Sequence, residues 1–140
     1  MDLFDRTKPH VLALFRIVVG LLFAAHGVAT LFGVLGRAGR TPEFAAWPGW
    51  WAAAIQLVAG ALVLLGLFTR WAALTASGSM AYAYFVVHAP EGLWPMENGG
   101  EPSAMFCWAF LLIAFLGPGA WAVDQFFSRS SSSRRETVTA

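Results

Sequence analysis

Four apolar runs divide the chain. Val11 to Leu35 carries Arg16, His26 and Thr30 as its strongly polar members, Trp50 to Phe68 carries Gln56, and Trp71 to Val87 holds no charge. The fourth run starts at Ser103 and stays uncharged to Val123, interrupted by Gly117-Pro118-Gly119. A bilayer core takes about 20 mostly apolar residues per helix. Each run therefore predicts one membrane-spanning helix, over 11–35, 50–68, 71–87 and 103–123. The last must bend at its proline, which removes a backbone donor. Thr69-Arg70 leaves almost no loop, so the second and third spans form a tight antiparallel hairpin. In the first run Arg16, Gly20, Phe23, Gly27 and Thr30 recur at helical spacing and mark the inward face. Ala72, Ala73, Ala76, Ser77, Gly78, Ala81 and Ala83 make the third span small enough for close helix approach.

The fold class that follows is all-α, a polytopic four-helix membrane bundle over residues 11–127. A short N-terminal segment, 1–10, precedes it, and a Ser- and Arg-rich tail, 128–140, is expected to be disordered beside anionic lipid. Composition agrees with this reading. Of 140 residues 58% are hydrophobic and 12% charged, against about a quarter charged in soluble domains. The net charge of +1 gives no footing for nucleic acid. Cys107, the single cysteine, permits neither an intrachain disulfide nor a Cys-x-x-Cys pair. A cleaved signal peptide fits poorly, because the first apolar run outlasts a signal h-region of about 7–15 residues.

Charge sets the orientation. Arg6, Lys8, Arg70, Arg129, Arg134 and Arg135 fall on one side, and Arg37 and Arg40 on the other with Glu43, Glu91, Glu97 and Glu101. The positive-inside rule then puts both termini in the cytoplasm, with Trp47, Trp50, Trp51 and Trp94 at the outer interface and Trp71 and Trp121 at the inner one.

Polar groups inside lipid are costly and ask for partners. Arg16 and Asp124 lie near the same cytoplasmic end, and a structural ion pair between them would neutralise both. Arg70 could compete for Asp124. Toward the outer end, His26, Thr30, Gln56, His88 and Glu101 come from all four spans at similar depth. If they converge, they make a polar ligand pocket, with His26 able to exchange a proton near neutral pH, Gln56 able to bond a carbonyl, and Phe23 or Trp108 as ring contacts. The alternative is interhelical hydrogen bonding without a ligand. His26, His88 and Glu101 have suitable ligand chemistry, but no pair among them has tight helical metal-ligand spacing, so no metal is expected.

The run Arg16-x-x-x-Gly20-x-x-Phe23-x-x-His26-Gly27 resembles the first helix of the DoxX family of small membrane proteins. Gly66-Leu67-Phe68-Thr69-Arg70, Asn98-Gly99-Gly100-Glu101 and Gly117-Pro118-Gly119-Ala120-Trp121-Ala122-Val123-Asp124 extend the resemblance over residues 11 to 125. It implies a four-helix bundle of the bacterial cytoplasmic membrane and a link to redox metabolism, since members of the wider family are associated with thiosulfate:quinone oxidoreductase and with complexes holding soluble redox enzymes. Family members often carry a lysine at the position of Thr30 and a glutamate at that of Gln56. The joint loss of both charges is what a buried pair requires, and glutamine cannot titrate. The implied function is an accessory or co-catalytic subunit of a quinone-linked redox system, with no intrinsic cofactor and a quinone as ligand. The expected partners are lipid and redox enzymes, with homo-oligomerisation open. A membrane anchor or assembly factor, or a carrier of a lipophilic solute, are the alternatives.

Overall fold

In the computed structural model, which describes residues 2–139 and side chains as far as Ser131, every regular element is helical. Helix α1 (Leu3–Phe32) is longer than its apolar run. The Asp2 carboxylate accepts from the Leu3 N–H at 2.8 Å and starts the helix well before Val11, and Pro9 is carried inside it. Its end is set by Gly33, in the left-handed region at φ 66°. Helices α2 (Gly49–Leu65) and α3 (Thr69–Ala83) form the expected hairpin. Beyond α3 the chain widens into a π-helical turn, Tyr84–His88, and then tightens into a short 3₁₀ turn, Ala89–Glu91. Helix α4 (Pro95–Asn98) is one turn, and α5 (Glu101–Leu116) follows it.

Two expectations are corrected. The fourth apolar run is not a bent helix to Val123: α5 stops at Leu116, with Gly117 at φ 87° and ψ −170° and Pro118 lacking a donor. Residues 117–123 instead cross against the side of α1 and the end of α2, where the Ala120 N–H donates to the Pro9 carbonyl and the Val123 N–H to the Leu65 carbonyl. The tail is not disordered from Ser128 but continues as α6 (Asp124–Thr139). The Asp124 N–H, held by the Gly66 carbonyl, fixes the first turn, and extending a nucleated helix costs far less than starting one. The Arg134 and Arg135 side chains lie outside the described residues.

Helix α1 packs on α2, α2 on α3 and α3 on α5. The α1–α2 contact runs backbone to backbone. A Cβ at Gly27 would collide with the Leu57 nitrogen, and one at Gly20 would lie 2.6 Å from the Leu64 nitrogen. The α3–α5 seam uses the expected small residues, with Ala72, Ala73, Ala76 and Ser77 buried and the Ser77 hydroxyl donating to the Cys107 carbonyl at 2.8 Å. Phe23 and Phe110, ring centroids 4.6 Å apart, join Val63, Met80 and Ile113 at the centre. Outward the surface is apolar: Val18, Leu21, Leu22, Val58, Phe85, Trp108 and Phe115 are all exposed. Helix α1 alone among the described residues is long and apolar enough to cross a membrane by itself.

Candidate functional site

The two ends of the molecule treat their polar residues in opposite ways. At the end where α2 turns into α3, Arg16, Arg70 and Asp124 each serve a helix terminus. Arg16 is fully buried, and its Nη1 donates to the carbonyls of Val63 at 2.9 Å and Leu64 at 2.8 Å. Its Nη2 reaches the Ala120 and Trp121 carbonyls at 3.4 and 3.3 Å. The last four carbonyls of any helix lack intrahelical partners. Here Leu62 and Val63 are served by the Gly66 N–H, Leu65 by the Val123 N–H, and Leu64 by Arg16. Arg70 does the same for α5, donating to the Ala114 and Phe115 carbonyls at 2.9 and 2.8 Å.

Asp124 completes the set at the opposite pole of a helix. Its carboxylate accepts from the Phe68 N–H at 2.8 Å, the Thr69 N–H at 3.0 Å and the Thr69 hydroxyl at 2.9 Å. That caps the N-terminus of α3 from a distant segment and holds Phe68 in the left-handed region at φ 47°, uncommon for a bulky residue. Burial works to raise this carboxyl, but the Thr69 and Phe68 donors, helped by the charge of Arg16, outweigh it and hold it below the usual carboxylate range. The expected Arg16–Asp124 pair is therefore corrected. They share an end but not a bond, because bare helix termini offered each a closer partner. Cations sit at helix C-termini and the anion at an N-terminus, as the helix dipole favours. Gly66 permits the arrangement: a Cβ there would lie 2.6 Å from both Ala122 Cβ and Arg16 Nη1, and its φ of 73° suits glycine.

The other end holds a cavity of about 400 Å³ lined by His26, Thr30, Gln56 and His88 from the expected set, with Arg37, Ser103 and Phe106. Helices α1 and α2 contribute the first three, and the π-helical turn contributes His88. His26 is exposed, and Thr30, Gln56 and His88 are half-buried, so all four are open to the space. Among the described residues no hydrogen bond engages the side chains of His26, Thr30 or Gln56. His88 is anchored: its Nδ1 lies 3.1 Å from the Asn98 carbonyl. A carbonyl only accepts, so Nδ1 donates and the neutral ring keeps Nε2 as an acceptor. The buried Asn98 organises this turn, accepting from the Gly100 N–H at 2.7 Å and donating to the Gly92 carbonyl at 3.0 Å. A side chain at Gly100 would crowd Asn98, His88 and Tyr84, each 2.8 Å from its Cβ.

Three expected members stand elsewhere. Glu101 is exposed in the first turn of α5 and does not line the cavity. Its charge complements the α5 dipole instead. Trp108 is 70% exposed, because α5 turns Ser103, Phe110 and Ile113 inward. Phe23 is consumed by the core, and Phe106 takes the ring position, edge-to-face with His26 at 5.7 Å. Arg37 was missed. The signal for it is Gly33, which stops α1 and is followed by Gly36, also at positive φ, turning the chain back over the helix end.

A DoxX family model matches residues 11–89. An uncharacterized protein of Haemophilus influenzae is 37% identical over 137 residues, covering 91% of this chain and 98% of its own. An uncharacterized membrane protein of Mycobacterium tuberculosis is 26% identical over 144 residues, covering 89% of this chain and 85% of its own. No solved structure matches.

Proposed function

The chain belongs to the DoxX family and is a membrane protein, and on that premise we propose that it is an accessory or co-catalytic subunit of a quinone-linked redox system. In this reading it is a multi-pass four-helix bundle of the bacterial cytoplasmic membrane, termini in the cytoplasm, and its cavity at the outer end is the ligand site.

The observation that carries the reading is the state of His26, Thr30 and Gln56. All three line one cavity without a hydrogen-bond partner among the described residues. Polar groups at membrane depth are costly when left alone. Side chains kept only for packing would be expected to bond across the helix interface, as Ser77 does to the Cys107 carbonyl. The volume falls within the roughly 300–1,000 Å³ of small-molecule sites. The donor set suits a quinone: the Gln56 amide, the Thr30 hydroxyl and a His26 ring N–H can each donate to a carbonyl, and Phe106 offers a ring face. Bound there, a quinone supplies two-electron, two-proton chemistry. The protein's own part is to orient the ring and to hold a proton on His26 or His88.

Quinone titration of purified wild type and His26→Leu tests this. Saturable binding by the wild type, weakened at least about tenfold in the variant, fits the loss of one hydrogen bond and its orientation. An anchor would show no saturable binding in either protein.

A further inference from the structure

A second depression adjoins the polar cavity. It is an apolar groove of about 270 Å³ on the outer surface of the α2–α3 pair, walled by Trp47, Trp51, Ile55 and Tyr82. Trp47 and Tyr82 meet edge-to-face at 5.8 Å and close one end. Gly49, Ala52, Ala83 and Val87 line both the groove and the cavity. The partition between the two spaces is thus made largely of residues with little or no side chain.

We infer that the cavity and the groove are two halves of one site, for an amphiphile whose head offers carbonyl acceptors only and whose apolar tail lies across Trp51 and Tyr82. This rests on the reading of the cavity as a ligand site. The head assignment comes from the lining. Gln56, Thr30, His26 and Arg37 all present donors, and no Asp or Glu is among the lining residues. A cationic head would find no carboxylate to balance its charge, and would meet Arg37 instead. A neutral carbonyl is favoured over an anion because the one permanent charge, Arg37, is exposed at the rim, while the other polar groups can leave a carbonyl neutral, and a buried charge without a close counter-ion is expensive. The tail assignment comes from continuity: the groove opens to the apolar surface that faces lipid. Such a ligand enters sideways, between the start of α2 and the end of α3, rather than from water.

The test compares two quinones with the same dimethoxy ring, one without a tail and one with a decyl tail, titrated in nanodiscs and corrected for partition into empty discs. Decylamine and decanoate are titrated alongside. The tailed quinone is expected to bind wild type at least about tenfold tighter than the tail-less one, since a few buried methylenes suffice for that factor. That ratio is expected to fall toward one in Tyr82→Ala and in Ala83→Leu, and decylamine and decanoate are expected to bind at least about tenfold more weakly than the decyl quinone. Tyr82 is 43% exposed, so its truncation leaves the core intact even if Ala83→Leu fails to fold. A ratio unchanged in Tyr82→Ala, or near one in wild type, overturns the groove and leaves the cavity reading standing. Decanoate or decylamine binding as tightly as the decyl quinone overturns the head assignment. No saturable binding of either quinone overturns the cavity reading and this inference together.

Discussion

Replacing Arg16 with methionine tests whether this buried charge is a structural fastener. The substitution keeps an unbranched apolar stem of similar reach and removes the guanidinium. In the wild type that group gives two short hydrogen bonds to Val63 and Leu64 and two longer ones to Ala120 and Trp121. Val63 keeps the Gly66 N–H as a second partner, so Leu64 bears most of the loss. A buried acceptor left without a donor costs about 1–3 kcal/mol, and the weaker bonds to the 117–123 segment add to that. One term opposes. The guanidinium is itself desolvated, and its Nε has no partner, so removing it relieves part of a burial cost. The expected net loss is about 2–4 kcal/mol, read from reversible unfolding in mild detergent. Arg16→Lys, with one ammonium in place of a fork, is expected to lose about half as much. A double-mutant cycle of Arg16→Gln with Asp124→Asn is expected to show coupling below about 1 kcal/mol, because the two charges act on different helix ends, against the roughly 3–5 kcal/mol lost when one member of a buried pair is removed. Stability of Arg16→Met within about 0.5 kcal/mol of wild type, the scatter of a neutral substitution, would refute the fastening role.

Asp124 has a folded pKa held below its unfolded value, so its contribution is fully present above about pH 4 and is lost as pH falls through the folded value. Unfolding profiles of wild type and Asp124→Asn are expected to stay apart from about pH 7 to about pH 5 and to converge in acid, and parallel profiles would contradict the cap. Gly27→Val forces a side chain against the Leu57 backbone nitrogen and is expected to destabilise by about 1–3 kcal/mol or more, measured by the same unfolding assay. Gly78→Ala, where a Cβ meets nothing within 4 Å, is expected to be neutral or stabilising. For topology, an impermeant thiol reagent on intact cells, with Cys107 replaced, is expected to label a cysteine at Gly39 and not one at Ser131. The opposite pattern would invert the orientation.

Periodicity made the interior legible. The spacing of Arg16, Gly20, Phe23 and Gly27 marked the buried face of α1, because a helix repeats its face every three or four residues whatever surrounds it. Four of the small residues of the third run, Ala72, Ala73, Ala76 and Ser77, are likewise buried, while Gly78 faces open space. Helix ends were less legible. Length and hydropathy carried the fourth run to Val123, but backbone conformation at Gly117 and the missing donor of Pro118 ended α5 at Leu116. The Arg16–Asp124 expectation failed for a related reason. Matching side chains by charge and depth omits the backbone, and near helix ends unpaired carbonyls and N–H groups compete for every charge.

The same accounting separates structural from functional polar residues in a way that the motifs alone could not. Of the polar residues in the four motifs, Arg16, Arg70, Asn98 and Asp124 are engaged with backbone groups that would otherwise lack partners, Thr69 bonds the Asp124 carboxylate, and Glu101 stands exposed in the first turn of α5. Their presence is explained by the fold. His26 belongs to the same motifs, stands on the same helix as Arg16, and has no such engagement among the described residues. With Thr30 and Gln56 it lines the cavity beside Arg37. A fold that supplies a partner to its buried arginine at one end, yet leaves three polar side chains free around one space at the other, has not merely run short of acceptors. Most carbonyls within α1 and α2 are already paired along each helix, so the polar atoms at the outer end face a shared space in which water or a ligand can satisfy them. The size of the cavity, about 400 Å³, and the aromatic groove on the far side of its thin wall are consistent with a molecule larger than water.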